Sequence, residues 1–216
     1  MRVSFFDLDH TLLSTDSNQL WFAYLHSHGL LGENALTRHA AFMHDYHAGR
    51  LDFAALLTFR HAVDASIAPD LLRTRREAFT RERLIPAVAP RAPALLDVLR
   101  RDGKLTMVIS ASPEALVLPV ARHLGFEHVL AADSVAGRHL PAPCFGPGKV
   151  LHAEAALAAI GTSLGALEQS WFYSDSHNDL PLLEAVHHPV AVDPDPTLAQ
   201  LARQRAWPVI SLREAP

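Results

Sequence analysis

Two groups of acidic residues follow short apolar, β-prone segments, at the point where each segment ends. Asp7 and Asp9 come directly after residues 3–6, and Asp175 follows residues 171–173. Side chains two positions apart on an extended chain point the same way, so the first two carboxylates can face one site. Unpaired carboxylates beside apolar residues are costly, and a divalent cation that prefers oxygen ligands would compensate them. The spacing therefore predicts a metal site at the strand ends.

Each acidic group alone also has a purely structural explanation, because paired aspartates are common in turns. Asn178 could cap the helix that follows the second group, with Asp179 in the first turn of that helix. Ligands of open parallel sheets, however, bind outside the carboxyl ends of the strands. Two acidic groups on separate strands of one sheet favour the metal site over a coincidence of helix caps.

Ser110 and Lys149 are the candidates for binding an anion. Ser110 ends another apolar segment and Pro113 opens a predicted helix, so the hydroxyl and the backbone amides of this turn, that of Ala111 included, can bind an anion. Lys149 stands at the head of the next predicted helix, where its charge could offset accumulated negative charge. Taken singly, it would be a solvated surface lysine. Its place in this series of motifs favours a role in the site.

Hydrophobic periodicity predicts the elements that position these residues. Short apolar segments are predicted to be buried strands at residues 3–6, 105–109, 129–132, 171–173 and 190–192. Helical spacing lies between them, ending at stop signals, over residues 93–101, 113–124 and 149–160. This alternation predicts an α/β fold with a doubly wound parallel sheet. The Gly- and Pro-rich residues 133–148 are predicted to form a hairpin or an irregular loop.

One long stretch, from residue 17 to residue 88, interrupts this alternation. It shows only helical patterns, at residues 17–28, 33–48, 53–63 and 69–83. We predict a catalytic core of residues 1–13 and 89–216, with residues 14–88 inserted as a helical cap. The alternative is a larger helical layer packed on the sheet, which periodicity alone leaves open.

Composition narrows the classes of partner and compartment. The formal net charge of -4 and the pI near 6.4 give no sign of a basic patch, so we expect no nucleic-acid or membrane-surface partner. Cys144 is the single cysteine, so no disulfide can form within the chain. No apolar run approaches the roughly 20 residues needed to cross a bilayer, and no secretory signal is recognisable. We expect a soluble cytoplasmic protein, and the oligomeric state stays undetermined.

The order of these motifs resembles that of the haloacid dehalogenase superfamily. Asp-Leu-Asp-His-Thr-Leu at residues 7–12 is similar to its first motif, Ser110 to its second and Lys149 to its third. Asp-Ser-His-Asn-Asp at residues 175–179 is similar to its fourth. The four motifs span nearly the whole chain. The helical insert resembles a type-1 cap, and the run that begins at Asp175 resembles the phosphoserine-phosphatase-like branch, subfamily IB.

The resemblance implies a role for each matching residue. Asp7 is implied to be the nucleophile that forms an aspartyl-phosphate, and Asp9 the general acid and base. The implied ligands of Mg²⁺ are the Asp7 and Asp175 carboxylates and the backbone carbonyl of Asp9. Asn178 and Asp179 would support that shell. The implied phosphate-binding residues are Ser110, Ala111 and Lys149.

The resemblance also implies a reaction. Dehalogenases of the superfamily lack an acid at the position of Asp9 and the ion-pumping ATPases carry threonine there, so Asp9 favours phosphatase or phosphomutase chemistry. Of these we expect hydrolysis of a small phosphorylated metabolite. A phosphomutase or phosphotransferase that uses the same aspartates is the first alternative. A non-catalytic module that binds a phosphorylated metabolite is the second.

The substrate is the least determined feature at this level. We expect phosphoserine or another phosphate derived from an amino acid, for instance histidinol phosphate. Phosphoserine phosphatases carry a glycine pair after the second-motif serine, whereas this chain has Ala111 and Ser112. They also hold the amino acid with a cap glutamate and arginine, to which Asp16 and Arg60 stand nearest here. Both residues could equally be exposed polar residues.

Overall fold

The computed structural model describes residues 1–132 and 142–213, without the side chain of His47. Residues 133–141, which form most of the predicted hairpin or loop, lie outside the described residues. The chain divides into two compact units, which we call the core unit and the helical unit. The core unit comprises Met1–Thr15 and Ala87–Pro216, and the helical unit comprises Asp16–Pro86.

Within the described residues, the core unit contains a six-stranded parallel sheet. Its strands are β1 (Arg2–Phe6), β2 (Leu105–Ile109), β3 (His128–Leu130), β4 (Gln169–Ser174), β5 (His188–Val192) and β6 (Val209–Ile210). The five predicted strands are confirmed, with ends that move by up to two residues. The prediction missed β6, because two residues at a sheet edge carry too little periodicity to be recognised.

The strands follow one another across the sheet in the order β3-β2-β1-β4-β5-β6. Connections run outward on one side of β1 and then restart on its other side at β4. The crevice at such a reversal, beyond the carboxyl ends of the strands, is where α/β folds of this order bind ligands. The reversal therefore brings the ends of β1 and β4, and the acids that follow them, side by side.

Both faces of β1 are buried, as a parallel sheet covered by helices requires. Val3 and Phe5 enter an apolar core that also contains Phe172 of β4, and all three side chains are fully buried. Phe6, the next residue along the strand, stacks on Tyr173 with ring centroids 4.4 Å apart. The continuous apolar run at the start of the sequence is thus explained by burial on both sides.

Three helices of the core unit match the predicted segments to within two residues, whereas the last helix of the unit was not predicted. The helices of this unit are α5 (Ala92–Arg101), α6 (Glu114–His123), α7 (Pro147–Ala159), α8 (Leu180–Ala185) and α9 (Pro196–Gln204). The predicted stop signals at Gly103, Gly125 and Gly161 are confirmed, since each of these glycines has a positive φ just beyond a helix. In the part of the chain that the structure describes, no helix is long and apolar enough to cross a membrane.

The helical unit is built from α1 (Ser17–Ser27), α2 (Glu33–His47), α3 (Phe53–Ala65) and α4 (Pro69–Phe79). After α4 the chain continues as a wider helical turn over Thr80–Leu84, which the sequence predicted as ordinary helix. Its interior is aromatic: Phe79 is fully buried, with ring centroids 5.1 Å from Trp21 and 5.3 Å from Tyr24. This unit therefore has an apolar core of its own.

His39 is an unusual member of that core. Its ring is only 4% exposed and stacks on Phe22 with centroids 4.2 Å apart. Within the described residues, its buried Nε2 atom has no hydrogen-bond partner. Burial lowers the pKa of His39 from 6.5 to about 4, with Arg60 acting in the same direction and Asp16 opposing it. The folded protein therefore keeps this imidazole neutral.

We predict that the buried imidazole makes the free energy of unfolding depend on pH. Between pH 6.5 and about 4 the unfolded chain binds the proton and the folded chain does not, so stability is complete above this range and is lost as pH falls through it. The expected loss is about 2 kcal/mol at pH 5 relative to pH 8. His39→Phe should remove that loss in urea titrations, whereas the exposed His61→Phe should retain it. Equal pH dependence in wild type and His39→Phe would show that His39 carries no such linkage.

Candidate active site

Asp7 stands one residue beyond β1, at the reversal of the strand order. Its N–H donates to the carbonyl of Tyr173 at 2.9 Å, which extends the hydrogen-bonding ladder between β1 and β4 by one rung. The side chain is only 7% exposed. The backbone of Asp7 is therefore fixed by the sheet while its carboxylate lies beyond the strand end.

A wide helical turn over Leu8–Leu12 follows, closed by a hydrogen bond from Leu13 N–H to the carbonyl of Leu8 at 2.8 Å. Asp9 lies in this turn with extended φ and ψ, and the next residue, His10, has φ of 57°. A non-glycine residue in this region is strained, and such strain clusters at functional sites. The predicted strand end at Phe6 is confirmed, and Asp9 keeps the extended backbone expected for it although it lies within the turn.

Thr11, in the same turn, is bonded twice to Asp175 beyond β4. Its hydroxyl donates to Oδ1 of Asp175 at 3.2 Å and accepts from the backbone N–H of Asp175 at 3.1 Å. The two hydrogen bonds join the loops that carry the two acidic groups. Sequence reasoning assigned no role to Thr11, although it lies within the first motif.

Ser110 begins the turn between β2 and α6. Its N–H donates to the carbonyl of Leu130 at 2.8 Å, and its hydroxyl oxygen accepts from the N–H of Ser112 at 3.0 Å. The hydroxyl of Ser112 donates in turn to Oδ2 of Asp9. Ala111, between the two serines, is half-buried. The structure thus places this turn against the turn that carries Asp9.

The start of α7 depends on a glycine. A Cβ added at Gly148 would lie 1.9 Å from the carbonyl oxygen of Pro143, so no other residue fits without moving the backbone. Gly146, which precedes the helix, has φ of 52°. These two positions bring the next residue, Lys149, into the interior, where it is only 2% exposed. The alternative, a solvated surface lysine, is therefore excluded.

The ammonium group of Lys149 joins two carboxylates. Its Nζ donates to Oδ1 of Asp7 at 2.6 Å and to Oδ2 of Asp179 at 2.7 Å. Asp179, 2% exposed, also accepts from the hydroxyl of Ser174 at 2.6 Å. Although burial acts to lower it, the two carboxylates raise the pKa of Lys149 well above its usual range. This lysine stays charged at every physiological pH.

The carboxylates around Lys149 are short of compensating charge. Burial raises the pKa of Asp7 to about 7, with Lys149 lowering it and Asp179 and Asp9 raising it. Burial also raises the pKa of Asp175, and the charges of Asp7 and Asp179 raise it further. One ammonium group cannot neutralise three carboxylates that repel one another at short range. The site therefore favours an additional cation.

The candidate ligands for that cation are the carboxylates of Asp7 and Asp175 with the backbone carbonyl of Asp9. Hard oxygen donors of this kind suit Mg²⁺, which completes its shell with water and substrate oxygens. No set of three or more His, Cys, Asp or Glu side chains surrounds a common point anywhere in residues 1–132 or 142–213. The candidate ligands comprise two side chains and one backbone carbonyl, which is fewer than the three side chains of such a cluster.

A further acid holds the loop after β4. Asp195 accepts from the N–H of His177 at 2.7 Å and pairs with its Nδ1 at 2.8 Å. The backbone N–H of Asp195 donates to the carbonyl of Asp175 at 2.8 Å. Although burial acts to raise it, hydrogen bonds from the N–H groups of Leu198 and His177 hold the pKa of Asp195 below its usual range. Asn178 lies in the same loop, with its N–H donating to Ser176 at 3.2 Å.

Asp16 and Arg60, the candidates for reading the substrate, both belong to the helical unit. Asp16 caps α1 by accepting from the N–H of Gln19 at 2.7 Å, and Arg60 is only 7% exposed. Both charges act on the pKa of His39, so each lies within electrostatic range of that imidazole. His39 was missed by sequence reasoning. Its one available signal was its position in the apolar helical spacing of α2.

The comparisons with known proteins agree with this geometry. Residues 4–184 match the family described as haloacid dehalogenase-like hydrolases. This chain belongs to that family.

Two of the relatives that match this chain are named as phosphatases. The chain is 33% identical to a histidinol-phosphatase of Neisseria meningitidis over 98% of this chain and 99% of that protein. It is 39% identical to phosphoserine phosphatase SerB1 of Mycobacterium tuberculosis over 119 residues, which cover 52% of this chain and 38% of that protein. A solved structure from Bordetella pertussis Tohama I, of unknown function, superposes with a TM-score of 0.86 at 35% identity, covering 98% of each chain. The chain is therefore a phosphatase of phosphomonoesters.

The candidate site is assembled from several separate parts of the core unit. The elements of the haloacid dehalogenase-like fold bring together the ends of β1, β2 and β4 and the start of α7. Four regions far apart in the sequence thereby contribute to one cluster of carboxylates, hydroxyls and one ammonium group. Of the predicted site residues, Asp16 and Arg60 alone lie in the helical unit; the others belong to the core unit.

Proposed function

We propose that this protein is a Mg²⁺-dependent phosphatase that transfers the phosphoryl group of its substrate to Asp7 and then to water. The observation that carries the proposal is the contact of Lys149 with Asp7 at 2.6 Å, in a buried site next to Asp9. Lys149 favours the ionised form of Asp7, which is the form able to act as a nucleophile. Its charge also offsets that of an incoming phosphate ester.

The proposed reaction has two steps. A carboxylate oxygen of Asp7 attacks phosphorus, the bond between phosphorus and the ester oxygen breaks, and the departing oxygen takes the proton of the Asp9 carboxyl. Water then attacks the phosphorus of the aspartyl-phosphate and gives a proton to the Asp9 carboxylate. The Asp7 carboxylate leaves with the bonding electron pair, and inorganic phosphate is released. Both aspartates return to their starting protonation states.

Mg²⁺ is the cofactor that we propose, held by Asp7, Asp175 and the carbonyl of Asp9, with Asn178 and Asp179 supporting the loop. The mutual repulsion of the buried carboxylates supports this assignment. When bound, the cation would supply positive charge to the phosphoryl oxygens. Ser110 and the amide of Ala111 are the proposed hydrogen-bond donors to the same oxygens. A hydroxyl oxygen that accepts from Ser112 still has its own hydrogen to donate.

Among small phosphomonoesters, we propose histidinol phosphate as the favoured substrate over phosphoserine. The relative named histidinol-phosphatase matches almost the full length of both chains, whereas the relative named phosphoserine phosphatase matches about half of this one. Histidinol phosphate presents an ammonium group and an imidazole but no carboxylate. An acid such as Asp16 can pair with the ammonium group of either substrate. A carboxylate partner such as Arg60 serves phosphoserine alone.

We further propose that the helical unit, predicted as a cap of residues 14–88, carries selectivity among substrates. Interactions with the part of the substrate that does not react can be used to stabilise the transition state, so changes there alter preference. The support is the group of Asp16, His39 and Arg60, in which His39 and Arg60 are buried and Asp16 is half-buried. An arginine is seldom buried in a small helical unit unless it has a partner. Catalysis itself is assigned to the core unit.

The first prediction concerns the nucleophile. Asp7→Asn should lower kcat by more than about 10³-fold, because an amide of the same shape cannot form the aspartyl-phosphate. In wild type with added methanol, the ratio of methyl phosphate to inorganic phosphate should be identical for all substrates, since all pass through the same intermediate. Asp97→Asn, an exposed change on α5, is the control and should retain activity. A methyl phosphate ratio that varies with the leaving group would contradict the covalent route.

The second prediction concerns the metal. Dialysis against EDTA should abolish activity, Mg²⁺ should restore it, and Ca²⁺ should bind but support little turnover because its coordination is looser. Mg²⁺ should also raise the Tm of wild type, since a ligand of the folded state stabilises it. Asp175→Asn should lose this Tm shift and Asp97→Asn should keep it. Full activity in metal-free buffer would rule out the cofactor.

The third prediction concerns the substrate. We expect kcat/KM for histidinol phosphate to exceed that for phosphoserine by at least about tenfold. Asp16→Asn keeps the helix cap but removes the charge, so it should lower kcat/KM for both amine substrates and leave p-nitrophenyl phosphate unchanged. Arg60→Gln should affect phosphoserine alone.

The matched controls for this substrate test lie in the same unit. Asp52 caps α3 by accepting from the N–H of Ala55 at 3.0 Å, so Asp52→Asn repeats the change at another helix cap. Arg83→Gln repeats the loss of one cation at an exposed position. If Asp16→Asn and Arg60→Gln change the ratios of kcat/KM between substrates no more than these controls do, neither residue contributes to substrate selectivity. A faster reaction with phosphoserine would reverse the proposed preference.

A further inference from the structure

Ser112 is a buried hydroxyl that neither the motifs nor the proposed mechanism uses. It is only 1% exposed, and its hydroxyl donates to Oδ2 of Asp9. The two residues are 103 positions apart in the chain and meet because their turns lie at the ends of neighbouring strands, β1 and β2. A hydrogen bond from a buried hydroxyl to a carboxylate is stronger than one between neutral groups.

The backbone on both sides of this hydroxyl is fixed. The N–H of Ser112 donates to the hydroxyl oxygen of Ser110 at 3.0 Å, and its carbonyl accepts from the N–H of Ala132 at 3.0 Å. Pro113 follows directly and precedes the first residue of α6. Because the main chain is held at these points, the Cβ of Ser112 has a fixed position, and the hydrogen bond to Asp9 selects the orientation of the hydroxyl. Asp9, in contrast, is half-buried in a turn whose next residue has a positive φ.

A carboxyl group that serves as general acid must present its proton from one particular oxygen. The two oxygens of a carboxylate are equivalent unless the surroundings distinguish them, and rotation about Cβ–Cγ exchanges them. A hydroxyl that donates to Oδ2 stops that rotation. It also makes Oδ2 the poorer position for the acidic proton, because accepting a hydrogen bond lowers the basicity of that oxygen relative to Oδ1. The proton is thereby assigned to Oδ1.

We propose that Ser112 is a positioning residue that orients Asp9 for proton transfer to the leaving oxygen. The inference rests on the proposed function, in which Asp9 protonates that oxygen as the bond between phosphorus and the ester oxygen breaks. Ser112 takes no part in the transfer of the proton. It fixes the oxygen from which the proton departs and to which a proton from water later returns.

The test uses leaving groups that differ in their need for a proton. An alkyl phosphate such as histidinol phosphate expels an alkoxide that must be protonated, whereas p-nitrophenyl phosphate expels a stable phenolate. Since kcat/KM reports only the steps up to formation of the aspartyl-phosphate, the later role of Asp9 as base does not enter. Ser112→Ala should lower kcat/KM for the alkyl phosphate by about 10–100-fold. For p-nitrophenyl phosphate it should change by less than about threefold, which also shows that the variant is folded.

Two comparisons separate orientation from general damage to the site. Ser174→Ala removes another buried hydroxyl bonded to a carboxylate, that of Asp179 at 2.6 Å, and should lower kcat/KM for both substrates alike. In the double variant Ser112→Ala with Asp9→Asn, the alkyl phosphate should react no more slowly than with Asp9→Asn alone. This non-additivity is expected only if Ser112 acts through Asp9.

The outcomes distinguish this inference from the proposed function. Suppose that Asp9→Asn lowers kcat/KM for the alkyl phosphate alone, whereas Ser112→Ala lowers kcat/KM for both substrates equally or changes it for neither. The inference is then overturned and the proposed function stands. If Asp9→Asn itself shows no dependence on the leaving group, Asp9 is not the general acid, and the proposed mechanism fails together with the inference. If both variants lose kcat/KM for the alkyl phosphate and retain it for p-nitrophenyl phosphate, the result supports the inference and the proposed function together.

Discussion

The buried ammonium group of Lys149 is the interaction on which the site depends. It contacts Asp7 at 2.6 Å and Asp179 at 2.7 Å, and all three side chains are almost fully buried. Removing one partner of such a cluster leaves an uncompensated buried charge, which typically costs several kcal/mol. Desolvation and repulsion nevertheless leave the carboxylates undercompensated, as the raised pKa values of Asp7 and Asp175 show. The same shortage of positive charge makes the site receptive to a cation.

The fold creates this arrangement through the order of its strands. Because β1 and β4 are neighbours at the reversal of the sheet, the two acidic groups share one edge, and the hydrogen bonds of Thr11 with Asp175 fasten them together. The close approach of Gly148 to Pro143 brings Lys149 inside. Asp195 holds the far side of the loop through His177 and the carbonyl of Asp175. The clustering of buried charged groups, which would be unfavourable on its own, is thus stabilised by contacts from separate parts of the core unit.

The helical unit presents a different physical situation. Its core is aromatic and apolar, yet it encloses His39 as a neutral imidazole near Arg60 and Asp16. A buried polar atom without a hydrogen-bond partner lowers stability by about 1–3 kcal/mol. Such a cost is commonly met at functional sites, where local strain is tolerated because surrounding contacts outweigh it. This is the physical basis for assigning selectivity to the helical unit and chemistry to the core unit.

The sequence by itself determined the fold class, the five longer strands, the helical insert and the residue types of the four motifs. Periodicity and stop signals are local properties, and for that reason strands such as β1 and helices such as α5 were predictable to within two residues. Their order in the sheet was not, because periodicity shows that a strand is buried without showing which strand lies beside it.

Only the tertiary structure decided which side chains meet. Ser112 and Asp9 are 103 positions apart, and Thr11 and Asp175 are 164 apart. Lys149 could be distinguished from a surface lysine only once the backbone at Gly148 was in place. Hydrogen bonds between distant residues depend on the sheet order and on a few backbone angles, such as φ at His10. Neither quantity is encoded in the spacing of apolar residues, so the partners of the candidate catalytic acids are properties of the folded chain alone.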